Sequence, residues 1–598
     1  MVDREGTEMC GIAGKISRNP FPANIVEDMG HFLIHRGPDD SGLYEENIDD
    51  LDVPHGNNLK IRPNHLTRAS LYHKRLSIID QSDKARQPMP NEDRTIWLVF
   101  NGEIYNAEPL RDDLTKAGHF FKSKCDAEIL VHAYEQWGTD CLSRFNGMFA
   151  FALWNETERS LFCARDPMGI KPFYYRHGAD SFSFASEIKS FYADDDFSPS
   201  LDPEALRWYL NFSFPIGTNT WFQGVKRLLP GEAILYREGN LKSWRFFDYA
   251  IETANGSPQI AETFHEILSN AVKCHLISDV PIGFHLSGGL DSSGIAAIAQ
   301  NEFSHTLTTF SGRFEEGKDY DERPFIEAFR RRYRTDHKET VPDAQGFIES
   351  INKIIWHLDE PTAGPGSYPQ YNVSRMVKEN GIKAVCVGHG GDELFGGYPW
   401  YLDCNDQQAE RMRQNRLNAL SEIFRKFTPD CTRKTFLSGF DDRLTGLLTW
   451  DVKYYLPALL HVEDRMSMAF SVESRVPYLD RAVVKTASLM SAQERIKSGI
   501  LKAPLRDALA SVLPSKIARR KDKMGFPTPF GPWLRDPLKN WAEEILLSKQ
   551  AEERGLIKID AASRFLDRHI KGEDWSIPLW QAVNVELWCR TFLDGERY

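Results

Sequence analysis

Residues 284–293 read FHLSGGLDSS and join an apolar run, VPIG, to a helical run, GIAAIAQ. Small residues in such a turn let backbone N–H groups close around an anion, and the N-terminus of the following helix adds positive potential. The stretch lacks the lysine and the spacing of a Walker A loop, so the predicted anion is pyrophosphate. Asp291 would repel bare phosphate, but it suits a Mg²⁺ ion carried by a nucleotide. We therefore predict a nucleotide site at this turn.

A second glycine cluster, residues 388–398 with the sequence GHGGDELFGGY, follows the apolar run AVCV. Ligands bind beyond the carboxyl ends of the strands in an open parallel sheet, so two such loops can face one nucleotide. Asp392 in the second loop is then a second candidate magnesium carboxylate. Taken alone, the cluster is equally typical of a flexible turn.

The sequence around these loops predicts two folded units. Beyond residue 259, apolar strands alternate with helices, as in LTTFSG followed by ERPFIEAFRRRY, which is typical of a parallel sheet covered by helices. Upstream, short β-rich runs and amphipathic helices such as Asp126–Trp137 favour a mixed α+β sandwich. The segment IETANGSPQ carries an Asn-Gly turn and a Ser-Pro helix start. We therefore predict an α+β unit over residues 10–240, a linker over 241–258 and an α/β unit over 259–598.

Composition restricts the class of protein. The 598 residues include 73 Lys and Arg against 85 Asp and Glu, a formal net charge of −12 that argues against a nucleic-acid partner. The nine cysteines form no C-x-x-C pair and match neither a disulfide framework nor a zinc knuckle, so we expect a reducing, cytoplasmic environment. No apolar run reaches the roughly 18 residues of a membrane span, and we predict no membrane partner.

The cysteine at position 10, in the string CGIAG, is a candidate nucleophile. Acyl transfer from an amide needs an activated nucleophile, a base and donors for the oxyanion. A free α-amine has a pKa of about 7.7 to 8 and a thiol one of about 8.5, so an amine on Cys10 can take the proton of its own thiol. An internal amide nitrogen cannot do this. We therefore hypothesise that the mature chain begins at Cys10; a structural cysteine in a buried strand is the alternative.

Polar residues elsewhere in the first unit suit a bound amino acid. Arg75 in RLSIID and Asp126 in KCDAEI supply one cation and one anion, which can hold an α-carboxylate and an α-amine. The tripeptide Asn101-Gly102-Glu103 offers an amide side chain and an unhindered backbone N–H as donors to an oxyanion. Each residue alone is also typical of a turn or a surface ion pair. The prediction therefore requires that these residues lie close to one another in the folded chain.

These strings together resemble the glutamine-dependent asparagine synthetase family, from Cys10 to the region of Trp588. The first unit resembles a class II, N-terminal-nucleophile (Ntn) glutamine amidotransferase domain in CGIAG, HRGPDD, RLSIID, FNGEIYN, CDAE, GMFAFALW and ARDPMGIKPFYY. The second resembles an adenylating PP-loop ATP pyrophosphatase domain in HLSGGLDSS, GHGGDELFGGYPWY, LLHVEDRMSMAFSVESRVPYLD and RRKDKMGFPTP. The resemblance implies an Ntn sandwich followed by a PP-loop domain, in an enzyme that uses glutamine, ATP and Mg²⁺.

The resemblance also implies roles for individual residues. Cys10 would attack the amide of glutamine, with Asn101 and Gly102 stabilising the oxyanion, and ammonia would cross an internal passage to the second unit. The implied glutamine-binding residues are Arg75, Leu76, Ser77, Ile78, Ile79, Asn101, Gly102, Glu103 and Asp126. The implied ATP-binding residues are Leu286, Ser287, Gly288, Gly289, Leu290, Asp291, Ser292, Ser293, Ser311, Val387 and Gly388, with Asp291 and Asp392 as magnesium carboxylates. Lys523 resembles the family lysine that neutralises charge during adenylation, and Lys521 lies close enough to be confused with it.

One departure from the family pattern leaves the acceptor open. His389 stands where well-understood bacterial members carry a glutamate that serves the acyl-adenylate, and its neutral imidazole can accept a proton. L-Aspartate, giving L-asparagine, AMP and pyrophosphate, is the first interpretation of the acceptor. A surface-sugar uronic acid, a cell-wall peptide or a secondary metabolite is the second.

Two alternatives of other classes remain at this stage. A PP-loop enzyme that acts on tRNA uses the same ATP turn, but the acidic charge and the glutaminase unit stand against it. The other alternative is a regulatory protein that has lost catalytic activity. The retained set of reactive residues argues against it. A homodimer is expected from the resemblance only.

Overall fold

The structure is a computed structural model, and it describes residues 10–46, 66–76, 78–80, 82–252, 259–402, 407–430, 432–521, 525 and 527–596. Two of the predicted site residues, Ser77 and Lys523, lie outside the described residues, as do the nine residues before Cys10. In these ranges we find no helix whose length and apolar content would let it span a bilayer.

The described residues contain three sheets. In chain order their strands are β1 Gly11–Pro22, β2 Asp40–Glu45, β3 Leu66–Arg75, β4 Met89–Pro90, β5 Ile96–Ile104, β6 Gly147–Asn155, β7 Ser160–Arg165, β8 Tyr174–His177, β9 Ser181–Ala185, β10 Lys226–Arg227, β11 Glu232–Arg237, β12 Asn240–Arg245, β13 Ile282–His285, β14 Thr308–Gly312, β15 Asp336–Thr340, β16 Ala384–Cys386 and β17 Glu473–Arg475.

The helices connect and cover these strands. In chain order the α-helices are α1 Asn24–His31, α2 Ala107–Lys116, α3 Asp126–Trp137, α4 Pro203–Phe212, α5 Gln259–His275, α6 Leu290–Glu302, α7 Arg323–Tyr333, α8 Ala344–Leu358, α9 Ser367–Glu379, α10 Gly391–Phe395, α11 Gln407–Ile423, α12 Thr432–Leu437, α13 Arg443–Trp450, α14 Leu456–Met468, α15 Arg481–Ser488, α16 Ala492–Arg495, α17 Ala503–Leu509, α18 Ser515–Ala518, α19 Phe530–Arg535, α20 Lys539–Leu546, α21 Lys549–Arg554, α22 Ile559–Ile570 and α23 Ser576–Phe592.

The first unit is a sandwich of two antiparallel sheets, with strand orders β10-β8-β9-β1-β3-β2 and β12-β11-β7-β6-β5-β4. An apolar layer that includes Ile12, Leu71, Ala150 and Phe184 separates the sheets, while α1 and α3 pack on their outer faces. Because both faces are covered, β6 is almost continuously buried instead of alternating. This arrangement confirms the predicted α+β sandwich, and α3 has the bounds predicted for it.

The second unit contains a parallel sheet in the order β15-β14-β13-β16-β17. Helices α5, α6, α7 and α9 pack on it through an apolar core. The central strand β13 leads into the first glycine loop, and its neighbour β16 leads into the second. The predicted α/β architecture is therefore confirmed, and the carboxyl edge of its sheet carries both candidate loops.

The predicted boundary at residue 240 falls at the first residue of β12, whose six residues pair with β11. Residues 240–245 therefore belong to the second sheet of the sandwich, and a linker can begin only after them. Because residues 253–258 lie outside the described ranges, the exact division between the units remains a prediction.

A buried ion network joins the two units. Arg36 of the first unit lies 2.8 Å from Glu187 and 2.9 Å from Asp464, which belongs to the second unit. Arg465 of the second unit reaches back to Glu187 at 2.6 Å. Removing one partner from such a buried pair costs about 3–5 kcal/mol, so the network fixes the contact between the units.

Candidate active site

Cys10 immediately precedes β1 and lies beside the segment that follows β3. The backbone N–H of Leu76 donates to Cys10 Sγ at 3.4 Å, and the Cys10 carbonyl accepts from Arg36 Nε at 3.3 Å. Burial, with smaller contributions from the carboxylates of Glu473 and Glu103, raises the pKa of the thiol to about 12. Reaction at neutral pH therefore requires a base that removes the thiol proton during attack.

The predicted oxyanion donors lie on β5, which packs across the sandwich from β1. Asn101 is 1% exposed, and within the described part of the chain its Nδ2 has no hydrogen-bond acceptor. Gly102 has a φ of +150°, and a Cβ there would lie 2.0 Å from the Met148 carbonyl oxygen, so only glycine fits. An unused buried donor beside an unhindered backbone N–H is suited to stabilise an oxyanion.

Two charged residues predicted to hold glutamine differ in what they contact. Asp126 begins α3, and its carboxylate accepts from Ile104 N at 2.8 Å. Burial raises the pKa of this carboxyl to about 6, so it is an anion at neutral pH and can receive an ammonium group. Arg75 donates to the carbonyl oxygens of Asp80 and, at 3.1 Å, of Ser82. The guanidinium therefore shapes the loop after β3.

Glu103, the last residue of the predicted glutamine set on β5, contacts the second unit. Arg475 Nη2 lies 3.2 Å from Glu103 Oε1, and Arg475 Nε lies 2.8 Å from Glu473 Oε1. Burial raises the pKa of Glu103 well above its usual value, against the opposing effect of the Arg475 charge. One arginine on β17 thus balances two buried carboxylates beside the thiol, so the second unit contributes to the surroundings of Cys10.

A small apolar cluster connects Cys10 to the parallel sheet. Its buried members come from both units, and they are Leu76, Ile78, Ala384 and Met468, with Cys10, Ile79, Val280 and Ile282 packed around them. Ile282 begins β13 and Ala384 begins β16, so the cluster lies between the thiol and the strands that carry the two glycine loops. Apolar surroundings of this kind favour neutral ammonia over ammonium, because ammonium would lose its hydration there.

The turn after β13 is held in place by its own side chains. Ser292 Oγ accepts from Ser287 N at 3.2 Å, and Ser287 Oγ accepts from Gly289 N at 3.3 Å. Gly288 has a φ of +72°, and a Cβ there would lie 2.7 Å from Phe325 Cβ. The glycine therefore allows a tight turn that opens directly into the N-terminus of α6, where anions are stabilised.

The two glycine loops pack against each other. A Cβ at Gly388 would lie 3.0 Å from Asp291 Cβ, and one at Gly391 would lie 2.7 Å from Asp291 Cγ. The close approach explains why small residues occupy the second loop. It also agrees with the prediction that both loops face one ligand at the carboxyl edge of the sheet.

Lys502 joins the two predicted magnesium carboxylates. Its Nζ contacts Asp291 Oδ2 and lies 2.6 Å from Asp392 Oδ1, and its side chain is 6% exposed. Two carboxylates that converge beside a turn of this kind are suited to hold Mg²⁺, which would neutralise phosphate charge there. The Lys502 ammonium balances the charge of both carboxylates.

A cavity of about 950 Å³ opens at this edge of the sheet, between the two units. The residues from the predicted set that line it are Leu286, Ser287, Gly289, Leu290, Asp291, Ser292, Ser311, Val387, Gly388, His389 and Asp392. Gly288 and Ser293 do not line it, and Ser293 is fully buried behind the turn. Lys521 lines the cavity, whereas Lys523 is outside the described residues, so the choice between the two lysines stays open.

Sequence motifs did not single out several polar residues of the cavity: Gln370, Glu463, Lys502 and Arg520. Arg520 Nη1 donates to the Gly288 carbonyl at 3.2 Å and so supports the turn. Lys502 lies 211 residues along the chain from the carboxylate it contacts, and no local pattern announces that pairing. Only Glu463 could have been noticed in the sequence, because a group of charged residues there interrupts the apolar positions of LLHVEDRM.

Comparisons with known proteins cover both units. A model of the asparagine synthase family matches residues 263–590, and a model of a glutamine amidotransferase domain matches residues 63–247. The chain is 30% identical to asparagine synthetase (glutamine-hydrolyzing) 1 of Bacillus subtilis, over 97% of each chain. It is 33% identical to a putative asparagine synthetase (glutamine-hydrolyzing) of Mycobacterium tuberculosis H37Rv, over 96% of this chain and 94% of the relative.

A fungal relative carries a different name. Amidase chyE of Penicillium rubens is 27% identical over 95% of this chain and 96% of its own length. Because the asparagine synthase model alone matches more than half of the residues, and full-length relatives agree with it, the family is established. The chain belongs to the asparagine synthase family and is a glutamine-dependent ligase that uses ATP.

Proposed function

We propose that this chain transfers the amide nitrogen of glutamine to the adenylated side-chain carboxylate of L-aspartate, forming L-asparagine, glutamate, AMP and pyrophosphate. The observation that carries the proposal is the apolar cluster between Cys10 and β13, because it connects a thiol site to the strand that ends in the phosphate turn. The names of the bacterial relatives agree with the product.

The first half-reaction takes place at Cys10. Its Sγ attacks the side-chain carbonyl of glutamine, while the α-amine of a chain that begins at Cys10 takes the thiol proton. Asn101 Nδ2 and the Gly102 N–H donate to the oxyanion, and collapse breaks the C–N bond and releases ammonia. Asp126 receives the α-ammonium group of glutamine. Water then hydrolyses the thioester to glutamate.

The second half-reaction takes place in the cavity. The turn at Ser287–Ser293 holds ATP, the acceptor carboxylate attacks the α-phosphorus, and pyrophosphate leaves. Lys502, together with Lys521 or Lys523, stabilises the charge on the departing pyrophosphate. Mg²⁺ held by Asp291 and Asp392 would neutralise part of that charge. Ammonia then forms the C–N bond and displaces AMP.

Mass spectrometry can test whether the active protein begins at Cys10. The amine-base mechanism requires that the active protein begins at Cys10, because burial leaves an internal cysteine with a thiol pKa of about 12. Mass spectrometry of the active fraction should identify Cys10 as the first residue of the chain. Full glutaminase activity in protein that retains residues 1–9 would reject this part of the mechanism.

A different carboxylate acceptor is the second candidate function. It is favoured by the amidase name of full-length fungal relatives and by His389 at a position where a glutamate was expected. The glutaminase and adenylating steps would be unchanged. Only the part of the cavity that contacts the acceptor would differ.

Pyrophosphate release separates the two candidates. Purified protein with ATP, Mg²⁺ and glutamine should release pyrophosphate when L-aspartate is added, one equivalent for each asparagine formed. D-Aspartate, L-glutamate and glucuronate serve as matched acceptors of similar charge. Glutamine hydrolysis without aspartate-dependent pyrophosphate release would reject aspartate as the acceptor, and release with another acid would support the second candidate.

A further inference from the structure

Glu463 is a buried carboxylate at the wall of the cavity that neither half-reaction above uses. It lies on α14, is 2% exposed, and accepts hydrogen bonds from Ser474 Oγ and Gln370 Nε2. Among the described residues, no lysine or arginine nitrogen lies within 4.0 Å of its oxygens. His389 Nδ1 lies 3.6 Å from Glu463 Oε2, and the charge of Glu463 also acts on the buried imidazole of His285.

His389 is oriented by the second glycine loop. It follows Gly388 at the end of β16 and precedes Gly390, whose φ is +91° and where a Cβ would lie 2.4 Å from Leu479 Cδ2. The His389 side chain is 27% exposed, yet its Nδ1 is covered and has no hydrogen-bond partner in the described ranges. His389 lines the cavity, and because Nδ1 is covered, Nε2 is the ring nitrogen left to face it.

Glu463 is placed to orient the imidazole of His389. A carboxylate near one ring nitrogen favours the tautomer with the proton on that nitrogen, which leaves the other nitrogen as an acceptor. It also stabilises the imidazolium that forms when a proton arrives. The separation of 3.6 Å between Nδ1 and Oε2 is longer than a hydrogen bond, and such contacts often shorten once substrate is bound.

We infer that Glu463 is the positioning residue for His389, which accepts the proton that ammonia loses as it attacks the acyl-adenylate. The inference rests on the proposed function. The nitrogen lone pair forms the C–N bond, the carbonyl electrons move to oxygen and return as the C–O bond to AMP breaks. The surplus proton on nitrogen passes to His389 Nε2, and the Glu463 carboxylate balances the resulting charge. The pair thereby supplies the proton acceptor that a single glutamate would otherwise provide.

Glu463→Gln tests the pair by the ratio of amide formed to pyrophosphate released. Adenylation needs no proton acceptor here, so acceptor-dependent pyrophosphate release should stay within about twofold of wild type. The ratio of amide to pyrophosphate should fall by at least about tenfold, because general-base catalysis contributes about 10²–10⁴-fold. Glu463→Asp, which keeps the charge, should recover part of the ratio. Ser474→Ala, which removes only a donor to Glu463, is the matched control for local packing.

His389→Glu makes the test independent of folding defects. A carboxylate at position 389 would lie beside Glu463, and the like charges would oppose each other. Glu463→Gln should therefore raise the ratio in the His389→Glu background, although it lowers the ratio in wild type. An equal loss in both backgrounds, or no change in wild type, would overturn the pair. No aspartate-dependent pyrophosphate release by wild type would instead overturn the proposed acceptor.

Discussion

The thiol site and the ATP cavity treat charge in opposite ways. Around Cys10, buried carboxylates of Glu103 and Glu473 share one arginine, Arg475, and the pKa of the thiol is raised to about 12. In the cavity, the paired carboxylates are joined by Lys502, and further cations such as Arg506, Arg520 and Lys521 line the wall. The first site therefore disfavours a resting thiolate on Cys10, whereas the second attracts anionic phosphate groups.

The two sites therefore differ in when a proton has to move. Burial raises the pKa of the thiol, so its proton has to leave during attack, and we propose the α-amine of Cys10 as the base that takes it. The cavity already carries the cations that a polyphosphate would need, so no such step is required there. The two chemistries are separable, and variants in one site should leave the partial reaction of the other intact.

Cys10→Ala should have the largest effect. Loss of the nucleophile should reduce both glutamine hydrolysis and glutamine-dependent amidation by more than about 10³-fold. Amidation with ammonium chloride should remain within about twofold of wild type, because the cavity is untouched. Steady-state rates with each nitrogen source measure this, and Cys141→Ala, a buried cysteine elsewhere in the sandwich, is the control. Equal loss with both nitrogen sources would contradict the separation of the sites.

Asn101→Ala should come next. Removing one oxyanion donor costs about 10²–10³ in kcat, and here it breaks no hydrogen bond of the described structure. We expect that loss in glutaminase kcat with little change in Tm. Asn91→Ala, which removes hydrogen bonds to Thr95, Ile96 and Glu135, should lower Tm and leave kcat near wild type. The reverse pattern would remove Asn101 from the oxyanion site.

Lys502→Met should impair the cavity alone. It removes the cation that joins Asp291 and Asp392, so acceptor-dependent pyrophosphate release should fall by about 10²-fold. Glutaminase activity should persist. Lys485→Met, at a surface lysine whose side chain is 60% exposed, is the matched control and should change neither rate. An unchanged rate of pyrophosphate release in Lys502→Met would contradict the role of the ammonium.

Lowering the pH should weaken glutamine binding before it affects the cavity. The pKa of Asp126 is raised by burial to about 6, so its carboxylate becomes protonated as the pH falls through that value. Because the ionised form binds the α-ammonium group, the KM for glutamine should rise about tenfold between pH 7 and pH 5. Asp126→Asn should have a high KM that no longer changes in this range. A flat KM in wild type would argue that Asp126 does not contact glutamine.

Asp464→Asn should have the smallest effect. It should change how many glutamines are hydrolysed for each amide formed. Arg36 contacts Asp464 with two nitrogens and also donates to the Cys10 carbonyl, so it joins the second unit to the nucleophile. We expect roughly a threefold rise in glutamate formed per amide. The exposed pair Arg330–Glu327 supplies the control Glu327→Gln, which should leave the ratio unchanged. A ratio that stays at the wild-type value in Asp464→Asn would remove the network from coupling.

Local patterns in the sequence were sufficient for the fold and for the position of the two glycine loops. The strand-turn-helix string around Ser287 predicted the tight turn between β13 and α6, because small residues and a helix N-terminus act within ten residues of one another. That the turn binds an anion stays a prediction. Period and composition also predicted α3 and both sheet classes. The contacts of Lys502, Glu463 and Arg475 could not be predicted, because each residue meets its partners only after distant elements pack.

Isotope labelling can follow the transfer of nitrogen from glutamine to the acceptor, which is the core of the proposed function. Purified protein is incubated with ATP, Mg²⁺, L-aspartate and glutamine labelled with ¹⁵N in its amide, in the presence of excess unlabelled ammonium. We predict that most of the asparagine formed carries ¹⁵N, because ammonia passes through the apolar cluster beside Cys10 without mixing with the solvent. Asparagine labelled only to the level of the bulk ammonium, or no asparagine at all, would contradict it.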